Sequence, residues 1–584
     1  MNRRILNILW LSAAFVSIFL CHFLYLGWGT PSAEKNKMLF KDPSEIGRLI
    51  PKFIELRDKY YSGINDMLNP EKPLKDIYKK MFIYQKDIPM FQELGQEQVL
   101  DRMRGYMIGV LNHDEQHTIM VLSKINPLKL KFNPGINTFY GGVFYYTCGA
   151  SLLVGKLAGF ITLKSDIAYY FTHPVETQRI YMLVRGVGAV SVLLTAVLML
   201  VLLTRIYSLR TALLAVSFFA ATPVLVNYSH RAGAHNLGML FLLIGIALCW
   251  KFFNDPDRKN YIYAGIALGL CAGTLVTNLP AVMIIFLAEW ARQDWNWKKT
   301  INSANAWLSC GVFMLVYFAT NFYIYLDLTG FHRFLLMGRE YTMQMEGEVY
   351  GTLNLKKWVP FIIDTFTNQM HWSTAPLFVL GCVYSFKKQN RFFQLCSLCL
   401  FFLLLMNLLL TRHPGVNIRI LPLCAIICAA GAMYLLETKN SLLRILYASY
   451  ICFSIAISAF QTYYCASLLK EPFSLTLAGD WINRNVPEGQ SIGVVGGQIA
   501  SAEFPPIHFL NYRMIKFPAP SQNVSFTKDA LPDYVVSNQE IDSGFNSSYE
   551  KIVSWQKQKK FFGISFDNEW IANGNADILI YKKI

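Results

Sequence analysis

The run Asn112-His113-Asp114-Glu115-Gln116-His117 sets two carboxylates side by side, ahead of an apolar segment. Neighbouring side chains diverge on a helix or a turn, so adjacent carboxylates rarely serve one atom; one acts while the other orients or caps. The plain alternative is a solvated acidic pair on a surface loop. Two features weigh against it. The stretch that follows ends in Lys129, Lys131, Asn133, Pro134 and Tyr140-Gly141-Gly142, which leads into apolar chain and tethers the carboxylates near a membrane surface. Arginine also recurs where an apolar chain should avoid it: Arg185, Arg231 within Tyr228-Ser229-His230-Arg231-Ala232-Gly233-Ala234-His235, then Arg412 and Arg419. Charge at membrane depth costs about 3 kcal/mol or more unless paired, which makes each of these a functional candidate.

Arginines and a histidine beside a carboxylate suit displacement at a lipid-borne phosphate. The leaving phosphate gains charge as its bond breaks, and the guanidinium fork matches phosphate oxygens while keeping its proton. Such preorganised donors contribute roughly 3–4 kcal/mol each in a dry site. A carboxylate that takes the proton of the incoming hydroxyl or amine adds about 10²–10⁴-fold. Against this stands snorkelling of Arg185 and Arg231 to headgroups, and a simple polar lining for His230 and His235.

The elements that must position these residues are read from composition and charge. Of 584 residues, 53% are hydrophobic, 15% aromatic and only 16% charged. Soluble domains carry about 25% charged residues, so a membrane body is expected and disorder or a disulfide-stapled module is excluded. The net charge of +16 invites a nucleic-acid reading. Its distribution argues for membrane topology instead. Residues 1–28 read as a retained anchor, with Arg3 and Arg4 keeping the N-terminus in the cytoplasm. Ten further apolar runs follow between 181 and 466, and residues 139–161 form one more that either crosses or lies embedded. Without that crossing, fifteen basic residues fall at inner ends and only Arg231, Arg412 and Arg419 at short outer junctions. A crossing would move thirteen of the fifteen outside, against the positive-inside rule.

The expected architecture is therefore a polytopic α-helical membrane protein of about eleven spans. Its parts are an anchor (1–28), a first outer loop with the acidic pair and an embedded helix (29–180), a multi-span domain (181–466) and a small outer α/β domain (467–584). In that last part Leu477–Arg484 reads as a helix, and Ser491–Val495, Tyr534–Val536 and Ile578–Tyr581 as strands. Gly493-Val494-Val495-Gly496-Gly497 lacks the full dinucleotide pattern and reads as a turn. Asn523-Val524-Ser525 and Asn546-Ser547-Ser548 match glycosylation acceptors. A second outer segment, 327–372, carries Glu340, Glu346 and Glu348 and has the character of a loop over a site. No Cys/His cluster has metal-ligand spacing. Paired broken helices, which inverted transporter repeats would produce, are not evident.

The order of these features resembles the GT-C superfamily of polyprenyl-phosphate-sugar glycosyltransferases. The carriers of the resemblance are an anchor, an outer Asp-Glu pair, an Asn-Pro and Tyr-Gly-Gly entry to an embedded helix, and an arginine opening the next span. Gly265 to Thr274 and Arg419-Ile420-Leu421-Pro422 add to it, and it covers about residues 1–465. The resemblance lies near the family 39 group, which includes protein mannosyltransferases and lipid A aminoarabinose transferases. The resemblance implies Asp114 as catalytic base with Glu115 as its partner. It also implies Arg185, His230, Arg231 and Arg419, with Lys131 and Tyr140, as donor and phosphate contacts. Where the family often has an acid in its second outer loop, this chain has Asn236, which favours transfer without a divalent metal or other cofactor. Leu275 or Val276 stands where a lysine is usual, and residues 29–110 exceed the usual length.

The expected function is transfer of a sugar from a polyprenyl-phosphate donor to a lipid, glycan or protein acceptor at the outer face of a bacterial inner membrane. Partners are then the lipid donor, the acceptor and membrane lipids, without nucleic acid. The rival is a transporter or flippase of lipid-linked sugars, which calls for charges inside the bundle; Asp and Glu are scarce in the apolar runs.

Overall fold

The computed structural model describes the chain apart from residues 1–2, 69–89, 111, 127–128, 134–139, 334, 337–354, 411–413, 471–472, 496–503, 519–527, 542, 546, 556–559, 562–563 and 566–576. The glutamates 340, 346 and 348, Gly496-Gly497, Arg412 and both glycosylation asparagines lie outside the described residues. The chain divides into two compact units, each gathered from three stretches of sequence.

The first unit comprises Met1–Leu26, Thr118–Leu153 and Leu183–Ser467. Five helices are long and apolar enough to cross a bilayer: Pro174–Ile206, His235–Asn254, Arg391–Leu409, Asn417–Leu436 and Ser441–Ser467. Leu209–Ala220 and Pro223–Ser229, bent by 64°, make a sixth if they count as one span. This is an integral membrane protein. The other apolar runs fold as shorter pieces, among them Asn7–His22 and Ala304–Thr320. The expected embedded segment forms the helix Gly142–Leu157.

Broken helices, which the sequence did not reveal, are a feature of this unit. Arg258–Thr274 ends at Leu275 in extended backbone, a 3-10 stretch Val276–Val282 containing Pro280 follows, and the helix resumes at Met283–Arg292. Proline removes a backbone donor and crowds the preceding turn, which ends regular hydrogen bonding there. Pro414–Ile420 is likewise 3-10, and Thr365–His371 is a π-helical turn.

Helices in lipid gain little from hydrophobic burial, so they pack by close approach over small residues. Gly265 and Gly269 face Ala304–Thr320 so closely that a Cβ would lie 2.4 Å from the Ser309 carbonyl oxygen and 2.8 Å from that of Phe313. Gly381 and Gly431 do the same between Ala375–Lys387 and Leu421–Leu436, with Cβ positions 1.9 Å from the Ile427 oxygen and 2.0 Å from the Leu377 oxygen.

The second unit comprises Gly27–His117, Val154–Met182 and Leu468–Ile584. Its main sheet is formed by strands at 513–517, 491–495, 534–537, 578–583 and 549–555, in that order across the sheet. β1 (Ser491–Val495) pairs in parallel with β2 (Arg513–Phe517) and β3 (Tyr534–Ser537). β7 (Ile578–Lys583) runs antiparallel to β3 and to β4 (Tyr549–Trp555). The short β5 (Lys560–Phe561) and β6 (Ile564–Ser565) pair separately. The helix Ser474–Asn485 precedes β1, as expected from its pattern.

The boundaries 29–180 and 467–584 do not delimit separate bodies. Residues 91–94 lie antiparallel along β2: the Phe91 N–H donates to the Lys516 carbonyl (2.8 Å), the Lys516 N–H to Gln92 (2.9 Å) and the Leu94 N–H to Met514 (2.7 Å). An exposed strand edge is thereby covered by chain from far earlier in the sequence. One apolar core joins Leu39, Phe53, Met103 and Phe171 to Ile482, Ile492, Ile507 and Ile578.

Candidate active site

The Tyr140-Gly141-Gly142 entry is pinned on both sides. The Gly141 N–H donates to the Thr274 carbonyl (2.7 Å), Tyr140 bridges Leu275, and the Gly142 N–H donates to Asn321 Oδ1 (2.9 Å). Glycine is required here by space. A Cβ would lie 2.0 Å from the Gly273 oxygen at position 141 and 1.9 Å from the Thr320 oxygen at position 142. Tyr140, so held, packs edge-on against Phe144 and His235, and His235 packs edge-on against Tyr228. The Arg231 guanidinium lies over the Tyr228 ring at 5.7 Å. The same turn is tied down where Thr118 Oγ1 donates to the Ala232 carbonyl (3.0 Å).

Arg185 and His230 form a second group around the exit of the first helix. Arg185, 1% exposed, donates from Nη1 to the Leu26 carbonyl (2.7 Å). His230 sets Nε2 against the Leu24 carbonyl (2.6 Å) and Nδ1 against that of Val226 (2.8 Å). Sequence reasoning missed His22, whose Nδ1 contacts Ser229 Oγ at 2.8 Å in full burial. A histidine at the end of an otherwise apolar anchor was the available signal.

Arg419 lies in the 3-10 stretch Pro414–Ile420, buried among neutral partners. Its Nη1 donates to the Thr277 carbonyl and to Asn278 Oδ1, each at 2.6 Å, and its Nη2 to Asn407 Oδ1. Asn407 Nδ2 donates to Asn417 Oδ1 (2.7 Å), and Asn417 Nδ2 to Thr365 Oγ1 (2.9 Å). Asn278 Nδ2 reaches the Cys271 carbonyl (3.1 Å) and Thr274 Oγ1 (3.2 Å). The chain of bonds thus links Arg419 to Thr274, the residue whose carbonyl holds Gly141. None of the three asparagines was singled out from sequence, because a lone Asn in an apolar run carries no spacing pattern.

Asp114 and Glu115 open the helix His113–Lys124, whose N-terminus Asn112 caps by accepting the Asp114 N–H at Oδ1 (2.8 Å). Acidic side chains in a first helical turn are favoured by the helix dipole. Asp114 is exposed and Glu115 buried, the divergence expected for adjacent residues. Lys131 is exposed on a turn closed by paired backbone bonds with Asn126, and among the described residues no hydrogen bond or ion pair joins it to the other candidates. The structure therefore brings Tyr140 to Arg231 through two aromatic contacts, Arg185 to His230 around one backbone turn, and Arg419 to the Tyr140 entry through Asn278.

Comparison with known proteins finds no match among curated sequences. Among solved structures, an oligosaccharyltransferase from Archaeoglobus fulgidus, tethered with an acceptor peptide, aligns at 11% identity and a TM-score of 0.42, covering 73% of this chain and 65% of that one. The chain thus spans about two thirds of that protein's length. ArnT from Cupriavidus metallidurans aligns in its apo state at 12% identity and a TM-score of 0.40, over 86% of this chain and 96% of that one. The same protein bound to undecaprenyl phosphate aligns at 11% and 0.40, over 81% and 93%. A family model, dolichyl-phosphate-mannose-protein mannosyltransferase, matches residues 181–324. That segment, which carries Arg185, His230, Arg231 and Asn278, resembles the mannosyltransferase group of GT-C glycosyltransferases to which the order of motifs pointed.

Proposed function

We propose that the protein is a membrane glycosyltransferase that moves a sugar from a polyprenyl-phosphate donor to a lipid, glycan or protein hydroxyl at the outer face of a bacterial inner membrane. Asp114 takes the proton of the acceptor hydroxyl as the glycosidic bond forms on the opposite face of the anomeric carbon, which inverts that centre. Glu115 orients it. Arg185, Arg231 and Arg419, with His230, Lys131 and Tyr140, hold the donor and meet the charge that develops on the departing lipid phosphate. A base and several cations suffice for this step, so the reading calls for no metal or other cofactor. It sets the N-terminus in the cytoplasm and the sheet-bearing tail outside.

The observation that carries the reading is that Arg231 with Tyr140, and Arg185 with His230, gather within one membrane unit, largely inside the segment that the mannosyltransferase model matches. Purified protein with labelled polyprenyl-phosphate sugars, wild type against Asp114→Asn, tests it. The variant should lose about 10²–10⁴-fold in transfer rate. Unimpaired transfer removes Asp114 as the base. Movement of the labelled lipid across a vesicle membrane without any new glycosidic product favours a flippase instead.

A further inference from the structure

Among the described residues no carboxylate pairs with Arg419; its partners are one backbone carbonyl and two asparagine amides. Neutral oxygens satisfy hydrogen-bonding capacity but leave the charge in place, and a buried charge is normally compensated by an opposite one. A second observation points the same way. Arg419 Nε is buried and has no hydrogen-bond partner among the described residues, whereas Nη1 makes two bonds and Nη2 one. The guanidinium is fixed on one side and retains an unused donor, and the described residues around it supply no anion.

The residues that fix it are fixed in turn. Asn278 accepts from Arg419 while donating to Cys271 and Thr274. Asn407 accepts from Arg419 while donating to Asn417, which donates to Thr365. An amide can accept from arginine and donate onward at once, which a carboxylate cannot. It also leaves the full field of the guanidinium available to an incoming anion.

We infer that Asn278 and Asn407 are positioning residues that hold Arg419 as an uncompensated cation, with Nε directed to a phosphate oxygen of a bound ligand. This rests on the reading of the protein as an enzyme of lipid phosphates and names the groups that prepare one of its cations.

The experiment is to replace an amide by a carboxylate of the same shape. Asn407→Asp keeps the acceptor for Arg419 and adds the missing negative charge; Asn278→Asp does so on the other side. Binding of decaprenyl phosphate and, separately, inorganic phosphate to the full-length protein in detergent is measured, together with the unfolding temperature without ligand. At the effective dielectric of about 20 that suits such sites, a neighbouring carboxylate should weaken anion binding at least about tenfold. The ligand-free unfolding temperature should stay near that of wild type, because the new pair compensates the charge while the carboxylate lacks the amide's onward donor. Loss for decaprenyl phosphate alone identifies the carrier lipid as the source, and loss for both identifies phosphate itself. A variant that binds decaprenyl phosphate as tightly as wild type overturns the inference, as does wild-type protein that binds neither. Should Asn407→Asp fail to fold, Asn278→Asp decides by the same criteria. The transfer assay with Asp114→Asn is independent of these outcomes, so the enzymatic reading and this inference fail separately.

Discussion

Replacing Gly142 by alanine tests whether the Tyr140 entry is held by contact as tight as the structure shows. A methyl at position 142 would lie 1.9 Å from the Thr320 carbonyl oxygen and 2.8 Å from the Tyr146 ring. Close carbon–oxygen contacts sit at about 3.3 Å, so the start of the helix Gly142–Leu157 must retreat by more than about 1 Å. That shift stretches the Gly142–Asn321 bond from 2.9 Å past its useful range and strains the Gly141–Thr274 bond of 2.7 Å. Overpacking costs about 1–3 kcal/mol and each lost hydrogen bond about 1 kcal/mol, which together give about 3–5 kcal/mol. Tyr140 precedes the displaced pair, and a misplacement of about 1 Å in a positioned group can cost about 10²-fold in rate. Gly149 supplies the control: it lies in the same helix, and a Cβ there meets nothing within 4 Å. Gly149→Ala should gain up to about 1 kcal/mol from helix propensity. Both variants are compared by thermal unfolding in detergent and by sugar transfer at saturating donor. If Gly142→Ala matches Gly149→Ala in both, the close approach of 142 to Thr320 has been misjudged.

Two further outcomes follow from groups away from that entry. Glu289, wholly buried, accepts from Tyr261 Oη (2.7 Å), from Arg292 Nε (2.8 Å) and Nη2 (2.7 Å), and from Gln293 Nε2 (3.0 Å). Glu289→Ala leaves those donors without their acceptor and should destabilise the membrane unit by about 3–5 kcal/mol, read as a lower unfolding temperature. In the second unit, burial would raise the Asp533 carboxyl, but the Ser491 hydroxyl and N–H hydrogen-bond it and hold it below its ordinary value of 3.8. A depressed native value contributes stability above the unfolded value and loses it as pH falls through the native one. Asp533→Asn should therefore cost about 1 kcal/mol at pH 7. The difference from wild type should shrink on acidification below pH 3.8, followed by hydrogen exchange in β1 and β3.

What the sequence made legible was whatever depends on local pattern. The strands at 491–495, 534–537 and 578–583 appear as short β-branched runs between turns, and the spans as apolar stretches. Tyr140-Gly141-Gly142 stood out as the entry to an apolar segment, and Arg185, Arg231 and Arg419 because charge in an apolar chain is costly. Pairings across long separations left no such mark. Nothing in residues 91–94 announces that they will line the edge of a strand at 513–517. Asn278 is ordinary in type, and only the fold brings it to Arg419, whereas Asn407 and Asn417 lie near Arg419 in sequence but carry no spacing pattern. His22 fell within an apolar run whose average hid it.

The break in the helix at Leu275 explains why Asn278 had to be there. In a bilayer, freed backbone groups must find partners within the protein, so a helix can be interrupted only where side chains or neighbouring backbone take up its unused donors and acceptors. The interruption at Leu275 exposes the carbonyls of Cys271, Thr274 and Thr277; Asn278, Gly141 and Arg419 take them up. A carboxylate near Arg419 would form the stronger pair, yet it would also cancel the charge and leave nothing for an anionic ligand to gain. Amides do the structural part of the work and spare the charge. A break in a membrane helix, bridged by asparagines from three segments to one arginine, is thus better suited to receive an anion than to brace the bundle, since bracing alone is served as well by an ion pair.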